Sequence, residues 1–260
     1  MQRDVMTKQY VFMGNKNMLN HAKSITMRHE EKYICSDAYL HVLENRIQNF
    51  LSPDVNQGED GYEIRSLYFD TMEDRLYDEG IQGIEKRNKY RIRIYNCNAD
   101  TIKLEKKTSV RNLKKKATAL IERSYVDRII ANEDEYVLDY DSNPLLLEFS
   151  QMQKTDLLRP KIIVEYNRKA FVSDMGNIRV TLDRNIRTSA MVEGFFSKDV
   201  PMIPILPQEM HLLEVKYDGI FPGYLARVLN FENLERASFS KYVLSADVIK
   251  NNGSIRENRI

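Results

Sequence analysis

The chain has 260 residues, 42% hydrophobic and 30% charged, enough for one large or two modest soluble domains with a sizeable core. Its formal net charge of +1 removes bulk charge as an argument for a nucleic-acid or membrane partner. Cys35 and Cys97 lie far apart, which excludes a disulfide framework and a zinc pattern, and no run approaches the ~18 apolar residues of a membrane helix. Reduced thiols and a cytoplasmic setting are therefore expected.

Residues 1–26 show weak periodicity and no core face. They read as a poorly ordered extension, with Met27 as an alternative start, ahead of one domain over 27–250 and a polar tail over 251–260. The opening Met1-Gln2-Arg3-Asp4 lacks the apolar stretch of a signal peptide. Residues 27–35 alternate as a strand, with Arg28, Glu30 and Lys32 on one face. Ser36-Asp37 offers an N-cap to a helix carrying Leu40, Leu43 and Ile47. A strand is predicted over 62–69, and Asp70-Thr71 predicts a short helix through Tyr77. Gly80 and Gly83 then break the chain before a strand over 87–96.

That strand alternates sharply: Lys89, Arg91 and Arg93 share one face, and Tyr90, Ile92 and Ile94 the other. A hairpin turn over 96–100 leads into a strand over 101–108, where Lys103, Glu105 and Lys107 share a face. A further strand is expected over 116–125. Asn143-Pro144 opens a helix to about Leu158, with proline at the first helical position. Strands follow over 161–172, 177–184 and 210–217, the last carrying Glu214 and Lys216 on one face. Pro222-Gly223 opens an amphipathic helix, and residues 238–247 close the fold, with Lys241 starting a final strand.

The charge is concentrated: residues 86–93 hold five Lys or Arg in eight, and 103–116 seven in fourteen. Any one charged strand residue is most simply a solvated outer face. Charges kept on at least five strands argue otherwise, because Lys, Arg and Glu are mediocre strand formers and adjacent like charges repel. Their common use is anion capture: Arg forks grip phosphate oxygens and Lys adds point charge. The interspersed Glu30, Glu105, Glu165 and Glu214 offset repulsion and offer hard oxygen ligands to Mg²⁺ or Mn²⁺. His21, His29, His41 and His211 show no ligand spacing, and no phosphate-binding glycine loop is present. Nucleic acid is not expected, since Tyr90 falls on the apolar face, away from the arginines.

Eight segments, in order, resemble the VTC domain, the polyphosphate polymerase domain of the vacuolar transporter chaperone complex and its bacterial relatives, within the triphosphate tunnel metalloenzymes. They are Arg28 to Tyr33, Ile64 to Thr71, Lys89 to Tyr95, Leu104 to Thr108, Val164 to Arg168, Arg179 to Asp183, Leu213 to Lys216 and Phe239 to Tyr242. The resemblance implies an α+β fold, an eight-stranded antiparallel β tunnel or barrel with a polar, basic lumen and flanking helices. It implies that Lys32, Arg91, Arg93, Lys107, Arg179, Lys216 and Lys241 act on ATP and polyphosphate, or another triphosphate. Ser240, Arg65, Lys103, Arg28 and Lys114 (or a neighbour among Lys115 and Lys116) would bind substrate. Glu214 would hold a divalent metal, with Glu30, Glu105 and Glu165 as further metal candidates.

Tunnel hydrolases usually begin Glu-x-Glu-x-Lys. Here Arg28 takes the first position, which removes a carboxylate and favours a polyphosphate acceptor over water. A polymerase is the first expectation. A metal-dependent triphosphatase and a catalytically idle polyanion-binding module stay open, as do oligomeric state and a membrane or envelope partner.

Overall fold

The computed structural model describes residues 28–110, 113–133, 143–230 and 234–257. The predicted extension over 1–26 and part of the acidic stretch after Glu133 lie outside them, as does the side chain of Arg28. In chain order the elements are β1 (Arg28–Ser36), α1 (Asp37–Ile47), β2 (Ser52–Pro53), β3 (Tyr62–Asp70), α2 (Arg75–Ile81), β4 (Lys86–Tyr95), β5 (Asn98–Val110) and β6 (Leu113–Ile121). Then come α3 (Arg123–Ile130), α4 (Pro144–Thr155), β7 (Arg159–Ser173), β8 (Ile178–Ser189), β9 (Ile203–Pro204), β10 (Met210–Asp218), α5 (Gly223–Leu229) and α6 (Lys241–Glu257).

The eight long strands form one antiparallel sheet in the order β1-β10-β8-β7-β3-β4-β5-β6, with β2 added to β7 and β9 to β8. The fold is α+β, as expected, but the hydrogen-bond ladder is open. Among the described residues no backbone pairing joins β1 to β6, which corrects the closed barrel. The two edges nonetheless meet through side chains. Glu30 of β1 lies 3.4 Å from Lys107 Nζ of β5 and 2.9 Å from Lys114 Nζ of β6. Seven inter-strand steps of ~4.8 Å would hold the edges of a flat sheet on the order of 34 Å apart, so the sheet is rolled.

Rolling gives the sheet an outer and an inner face, and strand alternation sorts the side chains between them. On one half of the outer face Tyr90, Ile92, Ile94 and Leu104 pack under α3 and α4, with Phe149 edge-on to Phe69 at 5.0 Å. On the other half Tyr33, Val180, Leu182, Leu213 and Val215 pack under α1 and α5. The inner face is charged over much of its area. Its apolar part (Ile64, Val164, Tyr166, Ile186, Leu212) is covered by Phe239, Tyr242 and Ala246, the last two on α6.

Local chemistry accounts for where helices begin. Ser36 Oγ accepts from Tyr39 N at 3.3 Å, and Asn143 Oδ1 from Leu145 N at 2.9 Å ahead of Pro144. The helix expected over 70–77 is shifted to α2. The buried Asp70 carboxylate accepts from the backbone N–H groups of Thr71, Leu76 and Tyr77, which holds residues 71–74 as a turn in front of the helix.

Two strand expectations are corrected. The strand predicted over 116–125 ends at Ile121, and α3 follows, burying Tyr125, Val126 and Ile129 on one side. The final strand at Lys241 is instead α6, which continues to Glu257 through the predicted tail. Ser240 Oγ accepts from Val243 N at 3.3 Å as a cap, and Tyr242, Ala246 and Ile249 recur at helical spacing toward the inner face.

A bulge in β8 shapes the site. Asp183 and Arg187 are four residues apart and would share a face in a regular strand. The register slips by one residue between them, at Asn185, whose φ is 53°. Asp183 therefore faces inward against Arg168, and Arg187 outward against Glu165.

Candidate functional site

The inner face carries a continuous field of charge whose partners are set by register. On β1 and β10, Lys32 stands opposite Glu214 and Glu30 opposite Lys216. On β8 and β10, Arg179 stands opposite Lys216 and Thr181 opposite Glu214. On the far side, β4 places Arg91 opposite both Tyr68 and Glu105, Arg93 opposite Ser66 and Lys103, and Lys89 opposite Lys107. Lys107 in turn faces Lys116. Like charges set directly opposite each other are unfavourable in a sheet unless something anionic lies between them.

The carboxylates hold this field together. Glu214 Oε1 is 2.9 Å from Lys216 Nζ, and its Oε2 is 3.8 Å from Arg168 Nη2. Asp183, fully buried, accepts from Arg168 Nε at 2.6 Å and Nη2 at 2.7 Å, and meets Lys241 Nζ at 2.7 Å. Glu105 takes Arg91 at 2.7 Å, Arg93 at 3.6 Å and the ammonium of Lys116. Lys89 Nζ donates to Ser240 Oγ at 2.8 Å, and Lys32 Nζ to the Phe239 carbonyl at 2.8 Å, so the start of α6 is tied to the cations.

Cations outnumber carboxylates here, and protonation equilibria reflect it. Burial alone would raise Glu214, but Lys216, Lys32, Lys241 and Arg168 outweigh it and hold the carboxyl well below its ordinary value. Burial and Glu214 would likewise raise Glu30, which Lys107, Lys32 and Lys216 bring to about 2. Glu105 is also held at about 2, burial being outweighed by Arg91, Arg93 and Lys116. The lysines move the other way. Burial, then Lys32 and Lys216, push Lys107 down to about 8 against the pull of Glu30. Lys89 and Lys216 are lowered too, chiefly by burial.

A polyanion bound at these cations would reverse that depression. Lys107 is partly deprotonated near pH 8 in the free protein, and a bound triphosphate would raise its pKa. Binding near pH 8 is therefore expected to take up protons, and affinity to fall as pH rises further. Calorimetry of inorganic triphosphate binding in buffers of different ionisation enthalpy measures the uptake, and a proton count of zero contradicts it.

The predicted site residues divide into groups. Lys32, Arg91, Arg93, Lys107, Lys114, Lys216, Lys241, Ser240, Glu30 and Glu214 come together on the inner face. Arg179 lies at the margin, with Asp54 at 2.6 Å and the Tyr62 hydroxyl at 3.2 Å. Lys103 shares the face but sits over the Tyr95 ring at 5.1 Å. Arg28 pairs with Asp218 in the ladder.

Arg65 and Glu165 are corrected. They pair with each other at 2.5 Å on the outer face, where Arg65 also holds the Phe195 carbonyl at 3.0 Å, so neither reaches the inner field. Glu105 faces inward too, held by Arg91, Arg93 and Lys116 as Glu30 is held by Lys32, Lys107 and Lys114.

Four inner-face residues escaped the sequence reading: Arg168, Asp183, Tyr166 and Tyr68. Strict alternation through Ile162, Val164, Tyr166 and Arg168 would have turned Arg168 inward and Glu165 outward. Arg179, Thr181 and Asp183 alternate in the same way. Tyr68 gave no signal, since an aromatic on a strand reads as core.

Among the described residues no group of three or more His, Cys, Asp or Glu could hold a metal by protein ligands alone. Glu214 and Glu30 lie on adjacent strands, close enough that the charge of Glu214 opposes ionisation of Glu30. Two carboxylates suit a hard divalent cation that takes its remaining ligands from water and phosphate oxygens. No helix of the described residues is long and apolar enough to cross a membrane.

A sequence model described as the VTC domain matches residues 27–250. No curated protein matches the chain by sequence. Among solved structures, the PH1819 protein from Pyrococcus horikoshii OT3 is 11% identical and aligns over 86% of this chain and 99% of its own, with a TM-score of 0.43. A Bacillus halodurans protein, provisionally described as an adenylate cyclase, is 11% identical over 84% of this chain and 94% of its own, with a TM-score of 0.47.

Proposed function

The chain belongs to the VTC domain family, and on that premise we propose that it is a metal-dependent polyphosphate polymerase that moves the γ-phosphate of ATP onto an inorganic polyphosphate chain. The observation that carries this reading is the excess of inward cations drawn from β1, β4, β5, β6, β7, β8, β10 and α6 onto one rolled face. Holding so many cations together without an anion is unfavourable; Lys89, Lys107 and Lys216 are lowered first by burial and further by neighbouring cations. The rolled sheet would serve as the wall of a phosphate tunnel.

Phosphoryl transfer passes through a loose transition state, so alignment and charge stabilisation do most of the work. Arg91 and Arg93 from one wall, and Arg168, Lys216 and Lys241 from the other, would line up the γ-phosphate with the end of the acceptor chain. The acceptor oxygen is already anionic, so no general base is needed. Ser240 Oγ accepts from Lys89 and from Val243 N, which leaves its hydrogen free for a phosphate oxygen. Glu214, with Glu30 across the ladder, would hold the divalent cation, whose chemistry when bound is to neutralise charge on the triphosphate. A reaction that consumes ATP would suit the cytoplasm.

Triphosphatase activity is the second reading. The residue that favours the polymerase is Arg28, at the place of a carboxylate in the hydrolases. Incubation with ATP and Mn²⁺ tests the choice. ADP with long phosphate chains is the expected product, and orthophosphate alone would sink the polymerase reading. No turnover, with retained polyphosphate binding, would leave an idle binding module.

A further inference from the structure

We propose that the Tyr68 hydroxyl contacts the bound anion directly, donating its hydrogen to a phosphate oxygen between the two arginine-bearing positions of β4; this rests on the reading of the inner face as a phosphate site. The ring is fixed on both sides. Tyr242 of α6 stacks on it with centroids 5.3 Å apart and planes 24° apart, and the Arg91 guanidinium carbon lies 5.8 Å from its centroid. Arg91 Nη1 donates to the Tyr68 oxygen at 3.0 Å. The oxygen is thus an acceptor in the free protein, and among the described residues nothing accepts its hydrogen.

The surroundings select what can. Around Tyr68 stand the cations Arg91, Arg93 and Lys89 of β4, Lys32 of β1 and Lys241 of α6, with Tyr166 of β7, whose oxygen already accepts from Arg93 Nη2 at 3.4 Å. The nearby carboxylates are committed: Glu105 to Arg91, Arg93 and Lys116, Asp183 to Arg168 and Lys241, and Asp70 to backbone N–H groups and the Tyr242 hydroxyl. A phosphate oxygen drawn in by the same arginines is the acceptor the geometry lacks.

Protonation fits this role. Burial would raise the phenol, but Arg91, Arg93 and Lys241 outweigh it and bring it down to about 8. Without an anion the ring can ionise and offset the surplus positive charge. With an anion present, the neutral phenol is favoured. Tyr62 and Tyr242 are pushed up instead, chiefly by burial, so ionisation near pH 8 is distinctive of Tyr68 within this cluster.

The test uses the full chain, inorganic triphosphate as probe, and Tyr68→Phe, which keeps the ring. In wild type, in buffer more alkaline than pH 8, triphosphate should remove a tyrosinate band from the near-ultraviolet spectrum. Tyr68→Phe should show no such change. At neutral pH it should bind triphosphate about tenfold more weakly, the factor carried by one hydrogen bond to a charged group, with its melting temperature unchanged. A variant that binds as tightly as wild type overturns the contact and leaves the phosphate site standing. So does a tyrosinate band in wild type that persists under saturating triphosphate. Wild type that fails to bind triphosphate at all overturns the reading of the site, and this proposal with it.

Discussion

Glu214→Gln is expected to lower ATP turnover with Mn²⁺ by about 10³-fold, a loss on the scale of removing a preorganised electrostatic group, while leaving triphosphate binding intact or tighter. Glu214 is buried beneath Lys216, Lys32, Lys241 and Arg168, which keep it ionised at every working pH. The amide keeps the volume and loses the negative charge. Binding survives because the cations remain and are now less neutralised. Turnover fails because the carboxylate proposed to hold the metal is gone. Release of ADP and calorimetric affinity separate the two effects. Turnover within tenfold of wild type would remove Glu214 from its assigned role, and lost affinity without lost turnover would reverse the assignment.

Asp183→Asn is expected to produce the largest loss of stability, about 3–5 kcal/mol, because breaking a buried ion network leaves uncompensated charge behind. Asp183 has no exposed surface and answers both Arg168 and Lys241. Lys241 begins α6, so the substitution also weakens the hold on that helix. Triphosphate should restore part of the loss, since it replaces the missing negative charge and binds only the folded chain. Denaturant titration with and without triphosphate measures both effects. A variant as stable as wild type would mean that water already screens the network.

The sign of the pH dependence follows. Burial opposes ionisation of Asp183, but Arg168 and Lys241 hold its folded pKa below the ordinary value. Its contribution is therefore present above the unfolded value of about 3.9 and is lost as pH falls below it. Asp183→Asn should flatten that acid limb.

Much of this site was legible in the sequence, for a definite reason. Lys89, Arg91 and Arg93 had to share a face because side chains alternate on a strand, and Ile92 and Ile94 showed which face was the core. The same rule placed Glu30 with Lys32 and Glu214 with Lys216. It failed where something non-local intervened. Glu165 reads as one more inward carboxylate until its partners are known. In the fold it lies three residues from inward Arg168, on the opposite side, paired with Arg65. The bulge at Asn185 separates Asp183 from Arg187, and an asparagine in a polar strand gives little warning of it.

The end of the chain shows the same limit. Residues 238–247 carry both a strand pattern and a helical one, and their own propensities do not choose. The choice was made by the inner face, where Ile64, Val164 and Leu212 needed cover and the stripe of Tyr242, Ala246 and Ile249 could supply it. Closure was likewise beyond a local reading, since whether β1 and β6 share a ladder depends on twist accumulated over the whole sheet. The sequence by itself determined the composition of most strand faces, and hence the concentration of cations on which the proposed anion site rests, because alternation is a property of neighbouring residues. Only the tertiary structure decided which faces confront each other, where α6 lies, and which carboxylates share the inner face, because those depend on pairings between residues far apart in the chain.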